Sequence, residues 1–75
     1  MEYFGIGKAI DELLDGKKVA RYGWNATNQY IELKRPSTIS DMTLAYIFIK
    51  TVQGDRIPWL ASQSDILGVD WFIFE

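Results

Sequence analysis

Apolar residues recur along this chain with two different periods. From Tyr3 to Asp15, Ile6, Ile10, Leu13 and Leu14 follow the i, i+4, i+7, i+8 spacing, with Ala9 between them. That pattern predicts an amphipathic helix. Gly16 stands where a helix ends on a left-handed residue, and Lys17 and Lys18 lie at the negative end of its dipole. The period then becomes two. Lys17 to Tyr22 reads as a strand with Val19 and Arg21 on one face and Lys18, Ala20 and Tyr22 on the other. Gly23 to Asn28 reads as a turn. Gln29 to Lys34 is the next strand, with Ile31 and Leu33 opposite Tyr30, Glu32 and Lys34.

Pro36 stops that strand, and Arg35 to Asp41 reads as a loop. Met42 to Val52 is the strongest strand signal, because Leu44 to Ile49 is apolar on both faces. A strand of this kind is central in its sheet or turns one face to a subunit interface. Gln53-Gly54-Asp55 predicts a hairpin turn into Arg56-Ile57. Ser62 followed three residues later by Asp65 resembles a capping box, opening a brief helix from Gln63 to Leu67 that ends at Gly68. Asp70 to Glu75 closes as a strand, with Trp71 and Ile73 opposite Phe72 and Phe74. The expected fold is α+β: a small antiparallel sheet of four or five strands, an N-terminal helix packed on it, and a short helix before the last strand. Tyr46, Phe48, Phe72 and Phe74 make the second sheet face too apolar for open solvent.

Length and composition narrow the picture. The chain has 75 residues, which predicts one domain over 1–75, marginal on its own. It has no Cys and no His, so neither a disulfide nor an ordinary zinc site can supplement the core. Self-association is the device left, and a homo-oligomer is expected. The formal charge of −2 lacks the basic excess that binding to DNA or RNA rests on. No apolar run approaches a membrane span, and the N-terminus, with Glu2, shows no charged-then-apolar signal pattern. The expectation is a soluble intracellular protein with no membrane partner and no cofactor.

The missing His and Cys remove the commonest general base and the best thiol nucleophile, so no enzyme is expected. No phosphate-binding glycine motif occurs, and Phe4-Gly5-Ile6-Gly7 has no strand before it. Asp11, Glu12 and Asp15 read as a solvated helix face. Binding chemistry is better represented. Trp24 follows a turn glycine and precedes Asn25; it is either a core residue closing the sheet or an indole wall for a planar ring, with Asn25 as donor and acceptor. Trp59 follows Pro58 and leads into Ser62. It is either a staple on Ile66 or Leu67, or part of a ligand site at the start of the short helix, where Ser62, Gln63 and Asp65 offer amides, hydroxyl and carboxylate. Arg21 is open between a structural ion pair and a phosphate ligand.

At these motifs the chain resembles a phage-encoded family, the Thoeris anti-defence type 2 proteins. The resemblance is carried by Leu-Leu-Asp-Gly-Lys-Lys at the end of the first helix, Val19 to Asn25, Ile57 to Leu67, and Asp70-Trp71. It implies a non-enzymatic sponge in the cytoplasm of the infected bacterial host. Such proteins bind the glycocyclic ADP-ribose isomers of Thoeris, and some also bind cyclic di- or trinucleotides of CBASS, without cleaving them. It also implies a homo-oligomer, typically a tetramer, with pockets where subunits meet. Trp24 and Asn25 carry over as pocket residues, with Ser62, Gln63 and Asp65 beside them; Arg21 and Trp59 join the candidates by position. The segment from Lys34 to Leu44 is shorter than in many relatives, which bears on ligand selectivity. The alternative is a small oligomeric protein–protein adaptor or inhibitor with no nucleotide ligand.

Overall fold

A computed structural model describes residues 2–24, 28–36 and 44–75. Helix α1 runs from Ile6 to Leu14 and not from Tyr3 as the periodicity predicted. The reason lies in the backbone of Phe4, which exchanges hydrogen bonds of 2.9 and 3.0 Å with Trp71 and is therefore spent on the sheet. Gly5 is the extended N-cap residue, and the first helical bond is donated by Ala9 N–H to Gly5 carbonyl. At the other end Gly16 takes φ +89°. Its N–H donates to Leu13 carbonyl and that of Lys17 to Glu12 carbonyl, the paired bonds of a Schellman ending.

Five strands follow: β1 (Lys18–Arg21), β2 (Tyr30–Lys34), β3 (Tyr46–Lys50), β4 (Arg56–Pro58) and β5 (Trp71–Phe74), with helix α2 (Gln63–Leu67) before the last. All pairings are antiparallel and the order is β4-β3-β2-β1-β5. The architecture is the expected α+β fold. β3 is shorter than its apolar run, and the middle strand is β2; β3 is interior, flanked by β2 and the three-residue β4. Gly54, at φ +93°, makes the β3–β4 turn, and Thr51 N–H donates to Asp55 carbonyl. No helix among the described residues is long and apolar enough to cross a membrane.

The core lies between α1 and one sheet face. Ala9, Leu13, Val19, Ile31 and Trp71 are fully buried there, ringed by Phe4, Ile6, Ile10, Trp24, Ile47, Ile49, Trp59 and Ile73. Each large apolar side chain so buried stabilises the fold by about 1.5–3 kcal/mol. After β4 the chain crosses this same face, so Trp59 joins the core and α2 touches α1.

The opposite face has no covering element among the described residues. Register places Phe74 beside Lys18, Phe72 beside Ala20, Tyr30 beside Lys50 and Phe48 beside Pro58. The Tyr30 and Phe74 rings lie 4.9 Å apart. Lys18 and Lys50 ammonium groups sit over Tyr30 at 5.0 and 5.7 Å, and the Arg56 guanidinium sits over Phe48 at 5.7 Å. These long side chains cover aromatic surface while keeping their charges in water, which is how Tyr30 and Phe48 become buried on an uncovered face.

Candidate functional site

Arg21 ends β1, and its pairing with Trp71 turns its side chain onto the core face near α2. Two carboxylates meet it there. Its Nε donates to Asp70 Oδ1 at 2.9 Å and its Nη1 to Asp65 Oδ1 at 2.9 Å. Asp70 stands just before β5, where its carbonyl accepts from Tyr22 N–H and its Oδ2 accepts from Gly23 N–H at 2.7 Å. Asp65 is the third residue of α2. Its Oδ2 accepts from Ser62 N–H at 3.0 Å while its N–H donates to Ser62 Oγ at 3.1 Å, closing the capping box that the sequence resembles. The Trp24 indole Nε1 also donates to Asp65 Oδ1, at 3.1 Å.

Burial alone would raise the Asp65 carboxyl. The hydrogen bonds it accepts from Ser62 N–H, Arg21 and Trp24 outweigh that and hold it below the usual carboxylate range. Arg21 and, secondarily, Gly23 N–H hold Asp70 low against the opposing effect of its burial. Arg21 is raised in turn, first by Asp70 and then by Asp65. One guanidinium between two carboxylates leaves a local formal charge of −1.

The two tryptophan motifs converge on a third tryptophan. Trp71 is wholly buried, and its indole Nε1 donates to Asp65 carbonyl at 3.0 Å. Trp24 packs edge-to-face on it with centroids 5.4 Å apart and planes at 79°, and Trp59 does the same at 6.0 Å and 89°. Both outer indoles are half-buried. Each therefore packs on the core with part of its surface and turns the rest outward, so the two readings of these residues are not exclusive.

The structure thus joins Arg21, Trp24, Ser62 and Asp65 by direct hydrogen bonds and brings Trp59 in through Trp71. Of the two roles open to Arg21, the ion pair is the one present. Gln63 is exposed in the first turn of α2. At the start of α2, Asp65 N–H is engaged by Ser62 Oγ, and the Asp65 carboxylate lies beside it, accepting from Ser62 N–H. Asn25 falls outside the described residues.

Two further residues, Asp70 and Trp71, belong to this cluster. The sequence shows them as a pair, but nothing in local spacing connects Asp70 with Arg21, 49 residues away. The signal was the strand pattern: an Asp opening the last strand meets the end of any strand paired antiparallel with it. Two glycines complete the surround. A Cβ on Gly23 would stand 2.9 Å from Asp70 Oδ2, and one on Gly68 would stand 3.0 Å from Arg21 Nε, Asp70 Oδ1 and Ser64 carbonyl. Both have ordinary negative φ, so close approach requires glycine here, and φ does not.

Comparison with known proteins gives a consistent result. The model of the Thoeris anti-defense 2-like domain matches residues 4–74. Thoeris anti-defense 2 of Bacillus phage SP01 is 34% identical over 81 aligned positions, covering 91% of this chain and 91% of the relative.

Proposed function

The chain belongs to the Thoeris anti-defense 2-like family, and we propose that it is a phage anti-defence protein that binds cyclic nucleotide immune signals and holds them uncleaved. The observation that carries this reading is the Trp24 indole, half-buried, packed on Trp71 and tethered by its N–H edge to a carboxylate. A planar wall so fixed loses little freedom when a ring stacks on it. Stacking one base on such a side chain contributes about 1–3 kcal/mol. Asn25, Trp59, Ser62 and Gln63 are the proposed neighbours, offering amide, ring and hydroxyl groups to the rest of the ligand.

Charge argues for how the ligand lies. With Arg21 shared by Asp65 and Asp70, the surroundings of Trp24 favour ribose hydroxyls and base amines over phosphate. The phosphates of a glycocyclic ADP-ribose isomer, or of a CBASS cyclic di- or trinucleotide, then turn away from this cluster toward cations elsewhere. A homotetramer would supply such cations from a second chain, and the uncovered aromatic sheet face supports association. Nanomolar retention requires about −12.3 kcal/mol, more than stacking alone provides.

Absence of turnover has its own support. The chain has no His or Cys, and the donors around Asp65 and Asp70 hold both carboxyls below the ordinary carboxylate range, further still from the near-neutral pKa that suits a proton shuttle. The place of action follows from the ligand: the cytoplasm of the infected bacterium, where the signals are made. A protein–protein adaptor is the second reading, favoured by exposed Leu60, Leu67 and Val69 around α2. The two separate on one test. Incubation with the cyclic ADP-ribose isomer should deplete it from solution, and heating the protein should return it intact. A cleaved product would make the protein an enzyme, and no depletion would favour the adaptor.

A further inference from the structure

Asp70 is the least expected member of the cluster, and its geometry is specific. It lies one residue before β5, directly across from Tyr22, whose N–H its carbonyl accepts. The backbone ladder therefore ends beside it, and beyond that point the chain enters the turn that carries Trp24. Its two carboxylate oxygens divide between the two sides of this junction. Oδ1 takes Arg21 Nε at 2.9 Å, on the strand; Oδ2 takes Gly23 N–H at 2.7 Å, in the turn. Trp24 N–H then donates back to Arg21 carbonyl at 3.2 Å.

We infer that Asp70 is a positioning residue for the Trp24 wall: its carboxylate ties the Gly23-Trp24 turn to the end of β1, while Asp65, held by the same guanidinium, sets the rotation of the indole through Nε1. Three observations support this independently of any ligand. The carboxylate bridges strand and turn with one oxygen on each. The guanidinium links that carboxylate to the one that receives the indole N–H. Both glycines that close on the clamp leave no room for a Cβ without pressing on Asp70. Asp70 touches no ligand in this scheme and acts through Gly23 and Arg21. That this wall receives a ligand rests on the reading of the preceding subsection.

The test is Asp70→Asn in the full chain, read by amide and indole hydrogen exchange and by titration with the cyclic ADP-ribose isomer. Asn keeps one acceptor and presents an amide donor to a second site that already has donors, so one bond is lost. Expected are faster exchange at Gly23 N–H and Trp24 Nε1, unchanged exchange at Ala20 and Phe72 in the β1–β5 ladder, and an affinity about tenfold weaker, the scale of one charge-assisted hydrogen bond. Asp70→Glu, which restores charge at a shifted reach, should recover part of the Trp24 protection. Unchanged exchange at Gly23 and Trp24 would overturn the inference. Equal loss of protection throughout the sheet would also overturn it, since Asp70 would then serve stability generally. If the parent protein binds no isomer, the ligand reading fails and the affinity part falls with it, while exchange alone decides whether Asp70 holds the turn.

Discussion

Gly7, Gly16, Gly23 and Gly68 show how differently one residue type can be constrained. A Cβ on Gly7 would meet nothing within 4 Å, and the residue lies in α1 with an ordinary φ. Gly7→Ala should therefore raise stability by about 0.5–1 kcal/mol, by removing unfolded-state freedom. Gly68→Ala should do the reverse. Its Cβ would press on backbone at Ser64 and on the Arg21–Asp70 pair, at the scale of about 1–3 kcal/mol for overpacking. Urea midpoints for the two variants should move in opposite directions, and a Gly68→Ala midpoint equal to the parent's would mean the ion pair is not confined as described. Candidate residues were legible one at a time: Trp24, Arg21, Ser62 and Asp65 were visible as chemistry. Their mutual arrangement was not, because Arg21 and Asp65 lie 44 residues apart and only the closing strand brings them together.

At the scale of elements, periodicity together with turn and capping residues located the helices and strands of the described residues, and it misplaced ends where tertiary bonds intervene. α1 begins three residues later than the predicted start at Tyr3 because Phe4 is tied to Trp71. α2 runs from Gln63 to Leu67 as expected, because Ser62 and Asp65 cap it within four residues of sequence. That cap is also where pH acts. Their donors hold Asp65 and Asp70 below the ordinary carboxylate range, so their contribution is complete above that range and is lost as pH falls through the lowered pKa values. Stability should be level from neutral pH down to about 5 and fall below about 4. Asp65→Asn should flatten part of that acid limb and cost about 3 kcal/mol at pH 7, because it weakens a pair with side chains only 11% and 15% exposed. Denaturant titrations at several pH values check both; an acid limb as steep in Asp65→Asn as in the parent would remove Asp65 from the account.

On the scale of the molecule, one sheet face is closed by α1 and the segment from Trp59 through α2, and the other is an aromatic surface under Lys18, Lys50 and Arg56. The apolar character of that second face was legible in Tyr46, Phe48, Phe72 and Phe74; its partial cover by cations depends on register and was not. If a second copy packs there, light scattering should show an oligomer that persists on dilution. Phe74→Glu should dissociate it while sparing the fold, because the new carboxylate stands beside Lys18. A stable monomeric parent would remove the interface and leave any ligand to a single chain. The function proposed for this molecule is to hold a cyclic nucleotide signal on the Trp24 wall without reacting with it. Calorimetric titration with the glycocyclic ADP-ribose isomer tests it most directly. Saturable heat with a submicromolar Kd is expected, weakened but not abolished by Trp24→Phe, which keeps a ring but loses the bond to Asp65; no saturable heat from the parent, or an affinity indifferent to Trp24, would overturn the proposed function.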